Sequence, residues 1–333
     1  MIRDLLSDKK ILVVFNMFDN PSKQNMSTWK SNIQSLLVQK NINYDLALSV
    51  NMGRDNTIKE LSKFLDVVIS RSQSIYLNVT HEKLPVNTTF NHTCIKTTER
   101  RGSLYDGYLY CASDINMPTT QVINRIAYAH INNNSAITHG MVNNDDGLGD
   151  WFGEEERQRI LGKLQNNDFS IPIGKTMNLH CAIFDKDIYV NFKKPMPDIF
   201  ASTSTESVFY YICVALNKKY YICSTKDFIL SHQGMLDGRS YCFHNRYENG
   251  DSWKHMFRAK LEAKKKFFSK EAKDVGIGYE EIHGILPHDK TKFDSEGMSI
   301  NAEALRKYIK YNLYLGSDEL NYDAISHDLI EIS

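Results

Sequence analysis

The chain has 333 residues, of which 42% are hydrophobic and 11% aromatic, so it can bury a sizeable core and is neither disordered nor fibrous. Its 40 Lys and Arg residues balance its 40 Asp and Glu residues, which excludes a global field that would attract nucleic acid or a membrane surface. We therefore expect any polyanion contact to depend on a local patch. The length favours one large α/β domain followed by a C-terminal extension.

Cysteine usage and hydropathy indicate the cellular compartment of the protein. The six cysteines show no CxxC spacing and most lie in apolar runs, so we interpret them as reduced core residues. The first 18 residues carry charges where a signal peptide needs an apolar stretch, and no run reaches the roughly 18–20 apolar residues of a membrane span. These features predict a cytoplasmic protein.

The amino-terminal half alternates strand and helix patterns. Short apolar runs rich in β-branched residues are typical of strands buried on both faces of a mainly parallel sheet. Residues at helical spacing separate the first run from the second and the second from the third. The predicted strands are Ile11–Phe15, Tyr44–Val50, Ser74–Val79 and Tyr108–Ala112.

The second half predicts further strands and helices. A helix follows Pro118, and two later runs, Met177–Phe184 and Ile188–Phe192, suggest a hairpin that makes the sheet mixed. The remaining expected elements are strands at Ser135–Met141, Tyr220–Cys223 and Phe228–Ser231, and helices at Trp151–Leu164, Glu206–Leu216, Asp251–Ala272 and Asn301–Leu315. We place a soft domain boundary at residue 245, with 1–245 as the α/β domain and 246–333 as a mainly helical extension.

Polar clusters follow several of the predicted strands. Asn16 comes after the first strand, Asn51 after the second, Ser113 and Asp114 after the fourth, and His232 after a late one. In open α/β sheets, ligands bind at the carboxyl ends of the strands. The four clusters therefore predict one site.

The order of these motifs resembles that of nucleotide-sugar glycosyltransferases of GT-A fold, in particular family 2. The helix element Ser35-Leu36-Leu37-Val38-Gln39 matches that family, and Asp55 and Thr57 match the later part of its nucleotide loop. Asn51 stands where the family usually has an acidic residue that contacts the base, although an amide also offers a donor and an acceptor to a base edge. The resemblance covers roughly residues 10–235 and implies a Rossmann-like sheet flanked by helices.

The resemblance also implies a metal and donor site. Ala112-Ser113-Asp114 stands at the family's Asp-x-Asp motif and retains only its last aspartate, while His232 ends the late strand that carries a metal- or diphosphate-binding histidine. The implied cofactor is Mn²⁺ or Mg²⁺, held by Asp114 and His232. A helix N-cap ahead of Pro118 is the structural alternative for Asp114. The implied donor-binding residues are Phe15, Asn16, Asn51, Arg54, Asp55, Asn91, Ser113, Asp114 and Arg239.

A carboxylate on the acceptor side is the expected general base. Glu206 opens a segment that resembles the family's Gly-Glu-Asp element, in which a carboxylate deprotonates the acceptor hydroxyl and the anomeric carbon inverts. Helix capping is an equally weighted alternative for Glu206. Trp151, with Asp150 beside it, is a candidate for stacking on the acceptor, against a role as a core anchor.

The predicted function is transfer of a hexose or pentose from UDP-sugar or another nucleotide sugar to a hydroxyl of a glycan, protein or modified nucleic acid. The basic helix Lys254–Lys270 is a candidate polyanion contact, although a solvated helix explains it more simply. Two alternatives remain open. One is a nucleotidyltransferase of related fold, which the absence of a Gly-rich loop after Phe15 disfavours, and the other is a catalytically degenerate GT-A binding module.

Overall fold

The structure is a computed structural model that describes only part of the chain. It describes residues 5–18, 26–51, 53–68, 74–81, 84, 86–141, 154–165, 170–172, 180–196, 213, 216, 218–223, 231–232 and 322–332. The predicted helices at 251–272 and 301–315 lie outside these residues, and so do all but residues 213 and 216 of the predicted helix at 206–216.

Within the described residues, nine strands form one sheet with helices between them. The order across the sheet is β11-β3-β2-β1-β4-β8-β6-β9-β7, and β5 pairs with β10 in a separate two-stranded sheet. The strands are β1 Lys10–Phe18, β2 Asn43–Asn51, β3 Ile75–Thr80, β4 Gly107–Ala112, β5 Ile115–Asn116, β6 Ile137–Gly140, β7 Ser170–Pro172, β8 Cys181–Asp185, β9 Tyr220–Cys223, β10 Ser231–His232 and β11 His327–Ile332. The helices are α1 Met26–Leu37, α2 Asp55–Val68, α3 Val86–Arg101, α4 Val122–Asn132, α5 Glu154–Gln165 and α6 Lys186–Phe192.

The sheet is mixed but mainly parallel. β1 is parallel to β2 and β4, β2 to β3, and β6 to β9, whereas β11, β8 and β7 pair antiparallel to their neighbours. Six strands therefore run in one direction and three in the other. The predicted α/β fold class, a mainly parallel sheet flanked by helices, is confirmed.

The core explains why the predicted strands form. Ile11–Phe15 is completely buried, and its odd-numbered side chains share one apolar cluster with Trp29, Ile33 and Leu36 of α1. A continuous apolar run can be buried on both faces only when helices cover both sides of the sheet. The helical spacing of the α1 residues places them on the face that meets β1.

The predicted hairpin across residues 185–187 is wrong. β8 ends at Asp185, whose carboxylate accepts the backbone N–H of Asp187 at 2.8 Å and caps α6. Lys193 then ends the helix in the left-handed region, at a φ of 63°. Local capping outweighed the apolar pattern at 188–192. The sheet is mixed because β8 runs antiparallel to both β4 and β6.

The last described residues rejoin the sheet. β11 pairs antiparallel with β3, with His327 opposite Thr80 and Ile332 opposite Ile75. The predicted extension over 246–333, expected to be mainly helical, therefore also contains this strand, whose backbone groups bond to the edge of β3. The boundary at residue 245 lies outside the described residues and stays a prediction.

Two predictions about individual side chains and helices can be compared with the fold. Cys94, Cys111, Cys181, Cys213 and Cys223 are buried and free, as expected of reduced core residues. Among the described residues, no helix combines the length and apolar character needed to cross a membrane.

Candidate functional site

The sheet changes winding direction between β1 and β4. The chain runs outward from β1 to β2 and β3, and then returns to place β4 on the other side of β1. The connections that leave the carboxyl ends of β1 and β4 diverge, and in open α/β sheets a ligand crevice forms at such a switch point. Asn16 of β1 pairs with Ala112 of β4 at this edge and is partly exposed.

Asp114 lies at the mouth of this switch point. Ser113 and Asp114 form the turn that joins β4 to β5, and both are partly exposed. β5 pairs antiparallel with β10, so that His232 lies opposite Ile115, the residue after Asp114. Pairing of backbones more than 100 residues apart therefore brings together the two positions predicted to bind a metal.

Side chains of α1 hold the segment that carries Asp114. The Asn32 amide donates to the Ser113 carbonyl at 2.9 Å and accepts from the Asn116 amide at 3.0 Å. The Ser35 hydroxyl accepts the backbone N–H of Met117 at 3.1 Å. Asn32 and Ser35 thus both bond to residues within three positions of Asp114.

Gln39 extends this contact away from the site. Its amide nitrogen donates to the carbonyls of Ser35 and Thr119, at 2.9 and 2.7 Å, and its oxygen accepts the N–H of Ile123 at 3.1 Å. Because Gln39 is almost fully buried, these bonds offset the cost of removing its amide from water. The Ser35–Gln39 element that resembles the family motif therefore has a physical role: it fixes the chain from Met117 to the start of α4.

The predicted nucleotide loop, which follows β2, also lies at the edge of the sheet formed by the carboxyl ends of the parallel strands. Asp55 begins α2 and is exposed, and Arg54 before it is partly exposed. At Gly53 an added Cβ would lie 2.5 Å from Cγ1 of Val79, so this turn packs against β3 too closely for a side chain. The glycine therefore allows the β2–α2 turn to lie close to the sheet.

Two predicted donor contacts are engaged elsewhere. Phe15 is completely buried in the apolar core, so its side chain does not reach the crevice. The Asn51 amide donates to the Leu84 carbonyl at 2.6 Å and accepts the Leu84 N–H at 3.1 Å. This amide ties β2 to residue 84, and the contact of Asn51 with a base edge stays a prediction.

Asn91 likewise joins parts of the fold. It is completely buried, and its amide donates to the Met196 carbonyl at 2.7 Å and to the Tyr322 hydroxyl at 3.0 Å, while its oxygen accepts the Met196 N–H at 2.9 Å. These bonds join α3 to residues 196 and 322, and a donor contact of Asn91 stays a prediction.

The other predicted site residues lie outside the described residues. They are Asp150, Trp151, Glu206 and Arg239, and their roles stay predictions. The backbone of His232 is described and its side chain is not.

The described residues supply few metal ligands at the crevice. None of them form a group of three or more His, Cys, Asp or Glu side chains that could hold a metal ion. A hydrogen bond with Cys181, together with burial, raises the pKa of the Cys111 thiol well above its ordinary value, so Cys111 offers no thiolate at neutral pH. The remaining pair, one carboxylate and one histidine position, fits a hard divalent cation that takes its other ligands from phosphate oxygens and water.

Sequence reasoning missed Asn32. It is fully buried, although Trp29, Ile33 and Leu36 surround it on the apolar face of α1. A polar residue within an apolar helical stripe must find hydrogen-bond partners, and that signal was present in the sequence.

Comparisons with known proteins give structural matches at low identity and no match by sequence. No protein-family model matches the chain, and no curated protein matches it by sequence. The mannosyltransferase PcManGT from Pyrobaculum calidifontis, in complex with GDP-Man and Mn²⁺, is similar to 94% of this chain over 77% of its own, with 9% identity and a TM-score of 0.49. GalNAc-T7 with UDP, GalNAc and Mn²⁺ is similar to 67% of this chain over 43% of its own, with 8% identity and a TM-score of 0.48. At this level of similarity, a function has to be inferred from the site itself.

Proposed function

We propose that the chain is a glycosyltransferase that binds the diphosphate of a nucleotide sugar at the crevice between β1 and β4. The observation that carries the proposal is the position of the Asp114 turn at the switch point, with the strand of His232 paired beside it. Ligand crevices of open α/β sheets form at this place, and Asp114 is a carboxylate that the fold presents there. The motif order described from the sequence supports the same reaction.

A Mn²⁺ or Mg²⁺ ion suits this edge. Asp114 and His232 would hold it, and when bound it would offset charge on the departing nucleoside diphosphate. Asn16 and Ser113 lie at the same crevice and can donate hydrogen bonds to phosphate or sugar oxygens. Arg54 and Asp55 flank the crevice at the end of β2 and are the remaining described candidates for donor contacts.

The acceptor half of the reaction is carried by residues predicted from the sequence. Glu206 is the proposed base that removes the proton from the acceptor hydroxyl as oxygen attacks the anomeric carbon, which inverts the configuration. Arg239 is proposed to contact the diphosphate, and Trp151 and Asp150 the acceptor. A glycan, a protein and a modified nucleic acid remain the acceptor classes, with Lys254–Lys270 as the proposed contact if the acceptor is a polyanion.

Asp114→Asn tests the proposal. In a thermal-shift screen of nucleotide sugars with and without Mn²⁺, we expect one donor to raise the melting temperature of the native chain more strongly with the metal, because a ligand that binds only the folded state stabilises it. Asp114→Asn should lose the Mn²⁺-dependent part of that shift. Since Asp114 is a partly exposed turn residue, the variant should fold normally.

Asp106→Asn is the matched control. Asp106 lies just before β4, at the opposite end of the strand that leads to Asp114, so its substitution should preserve the metal-dependent shift. A full shift in Asp114→Asn would overturn the proposed site. If no nucleotide sugar stabilises the native chain, the degenerate binding module becomes the better explanation.

A further inference from the structure

We propose that Asn32 is a positioning residue that holds the backbone on both sides of Asp114. This inference rests on the proposed function, because that function assigns the Asp114 carboxylate to the metal and the donor diphosphate. Asn32 itself is fully buried and touches neither.

The backbone around Asp114 needs such a support. At residue 113 the chain leaves the nine-stranded sheet and enters the separate β5–β10 pair, so the Ser113 carbonyl lies beyond the last register pair of β4. Backbone polar groups that leave a sheet require another partner or water. The Asn32 amide supplies it, at 2.9 Å.

The same side chain also holds the segment after Asp114. Its oxygen accepts a hydrogen bond from Asn116 at 3.0 Å, and Asn116 pairs with Ser231 in the β5–β10 sheet. One buried amide therefore connects the residue before Asp114 with the strand beside which His232 lies. Its two bonds fix the path of the turn between them.

The position of Asn32 on α1 explains how a single residue can do this. α1 packs against β5 and contributes Trp29, Ile33 and Leu36 to the apolar core, so the helix is a rigid support. An apolar residue would satisfy the packing pattern at position 32 with no cost of burying an amide. Its polar side chain instead bonds to the site segment.

Gln39 provides a matched comparison on the same chain segment. It is a nearly buried amide that also bonds to the chain after β4, but its partners there are Thr119 and Ile123, at least five residues beyond Asp114. Asn32→Ala and Gln39→Ala should therefore lose similar stability. Only Asn32→Ala should disturb the Asp114 turn.

Two measurements separate positioning from general stability. The first is the Mn²⁺ concentration that gives half of the maximal thermal shift in the presence of UDP, with GDP as a second probe. We expect Asn32→Ala to raise it about tenfold, a change of roughly 1.4 kcal/mol in binding, and Gln39→Ala to leave it within twofold. The second is hydrogen exchange without metal, which should accelerate in peptides covering 112–117 for Asn32→Ala and in peptides covering 119–123 for Gln39→Ala.

The outcomes distinguish this inference from the proposed function. If Mn²⁺ with either nucleotide produces no shift in the native chain, the proposed function fails, and unchanged exchange at 112–117 in Asn32→Ala would then overturn the positioning role as well. Equal Mn²⁺ midpoints for the two variants would overturn the inference alone. If Asn32→Ala does not fold, Asn116→Ala removes the second bond from a partly exposed position, and a midpoint identical to that of the native chain would count against the proposal.

Discussion

Helices α1 and α3 both carry buried polar side chains, and these side chains bond to different parts of the fold. On α1 the side chains of Asn32 and Ser35, together with Gln39 two residues after the helix, bond mainly to the chain between Ser113 and Ile123. The buried polar side chains of α3 are more numerous: Asn87, Thr88, Thr89, Asn91, His92, Thr93, Thr97 and Thr98.

Hydrogen bonds of α3 join layers of the fold. The Thr93 hydroxyl donates to Ser49 of β2 at 2.8 Å and accepts from Asn78 of β3 at 2.7 Å, and Asn91 reaches residues 196 and 322. Polar groups on α1 therefore hold the segment around Asp114, whereas those on α3 hold the sheet to the segments that cover it. Variants on α3 should change stability, and variants on α1 should also change the site.

The largest effect is expected for Asn91→Ala. The substitution removes three hydrogen bonds and leaves the Met196 N–H and carbonyl buried without this partner. Because each such loss costs about 1–3 kcal/mol, we expect the free energy of unfolding to fall by about 3 kcal/mol, measured by urea denaturation. The Mn²⁺ midpoint of the folded variant should not change.

Asn56→Ala is the control for this variant. Asn56 is exposed on α2, so its substitution should change stability by less than about 0.5 kcal/mol. A loss below about 1 kcal/mol in Asn91→Ala would show that α3 does not depend on this connection.

The next effect is a pH dependence centred on His92. The ring is buried and packs edge-on against His327. Its Nδ1 accepts a hydrogen bond from the Asn78 amide at 3.1 Å. Burial lowers the pKa of His92 to about 3, with smaller contributions from His327 and Lys96 in the same direction and from Asp323 in the opposite one. Below about pH 6.5 the unfolded chain therefore binds a proton that the folded chain does not.

The sign of this effect follows from proton linkage. The contribution of neutral His92 to the free energy of unfolding should be fully present above about pH 6.5 and should decrease as the pH falls toward 3. The decrease should reach up to about 1.4 kcal/mol per pH unit, or about 2 kcal/mol between pH 6.5 and 5. Urea midpoints across this range measure it. His92→Gln should flatten the slope relative to the native chain, while His81→Gln, at an exposed histidine, should not; equal slopes in all three proteins would contradict the assignment.

The smallest effect is expected for Ser35→Ala on α1. It removes the acceptor of the Met117 N–H, for a loss of about 1 kcal/mol. Ser31→Ala, at an exposed position of the same helix, gives the helix-propensity change alone, which should stabilise by a few tenths of a kcal/mol. The difference between the two unfolding free energies gives the contribution of the Ser35 hydroxyl, which accepts the Met117 N–H and donates to the Asn32 carbonyl at 2.7 Å. A difference near zero would mean that α1 holds the turn through Asn32 alone.

The comparison of α1 and α3 also shows what could be predicted. α1 follows from apolar residues at helical spacing, and β1 to β4 follow from apolar runs, so their bounds agree closely with the sequence patterns. α3 has almost no apolar stripe, so apolar spacing did not predict it. The predicted site residues stay predictions: Asp114 and His232 lie near each other along the paired strands β5 and β10, whereas Phe15, Asn51 and Asn91 are buried in contacts within the fold.

The sequence by itself determined the α/β class, the order of the first four strands and the polar residues at their carboxyl ends, because burial on two faces and helical periodicity are local patterns. Only the tertiary structure decided that the C-terminal strand closes the edge of β3, that α6 replaces a hairpin, and that the Asn51 and Asn91 amides are already bonded. The C-terminal strand and the two amides depend on partners between 33 and more than 200 residues away, which no local pattern contains, whereas α6 depends on the local cap at Asp185. The position of Asp114 depends on both the sequence and the tertiary structure. The sequence predicts that Asp114 follows a strand, whereas the crevice beside it forms only when β4 pairs with β1.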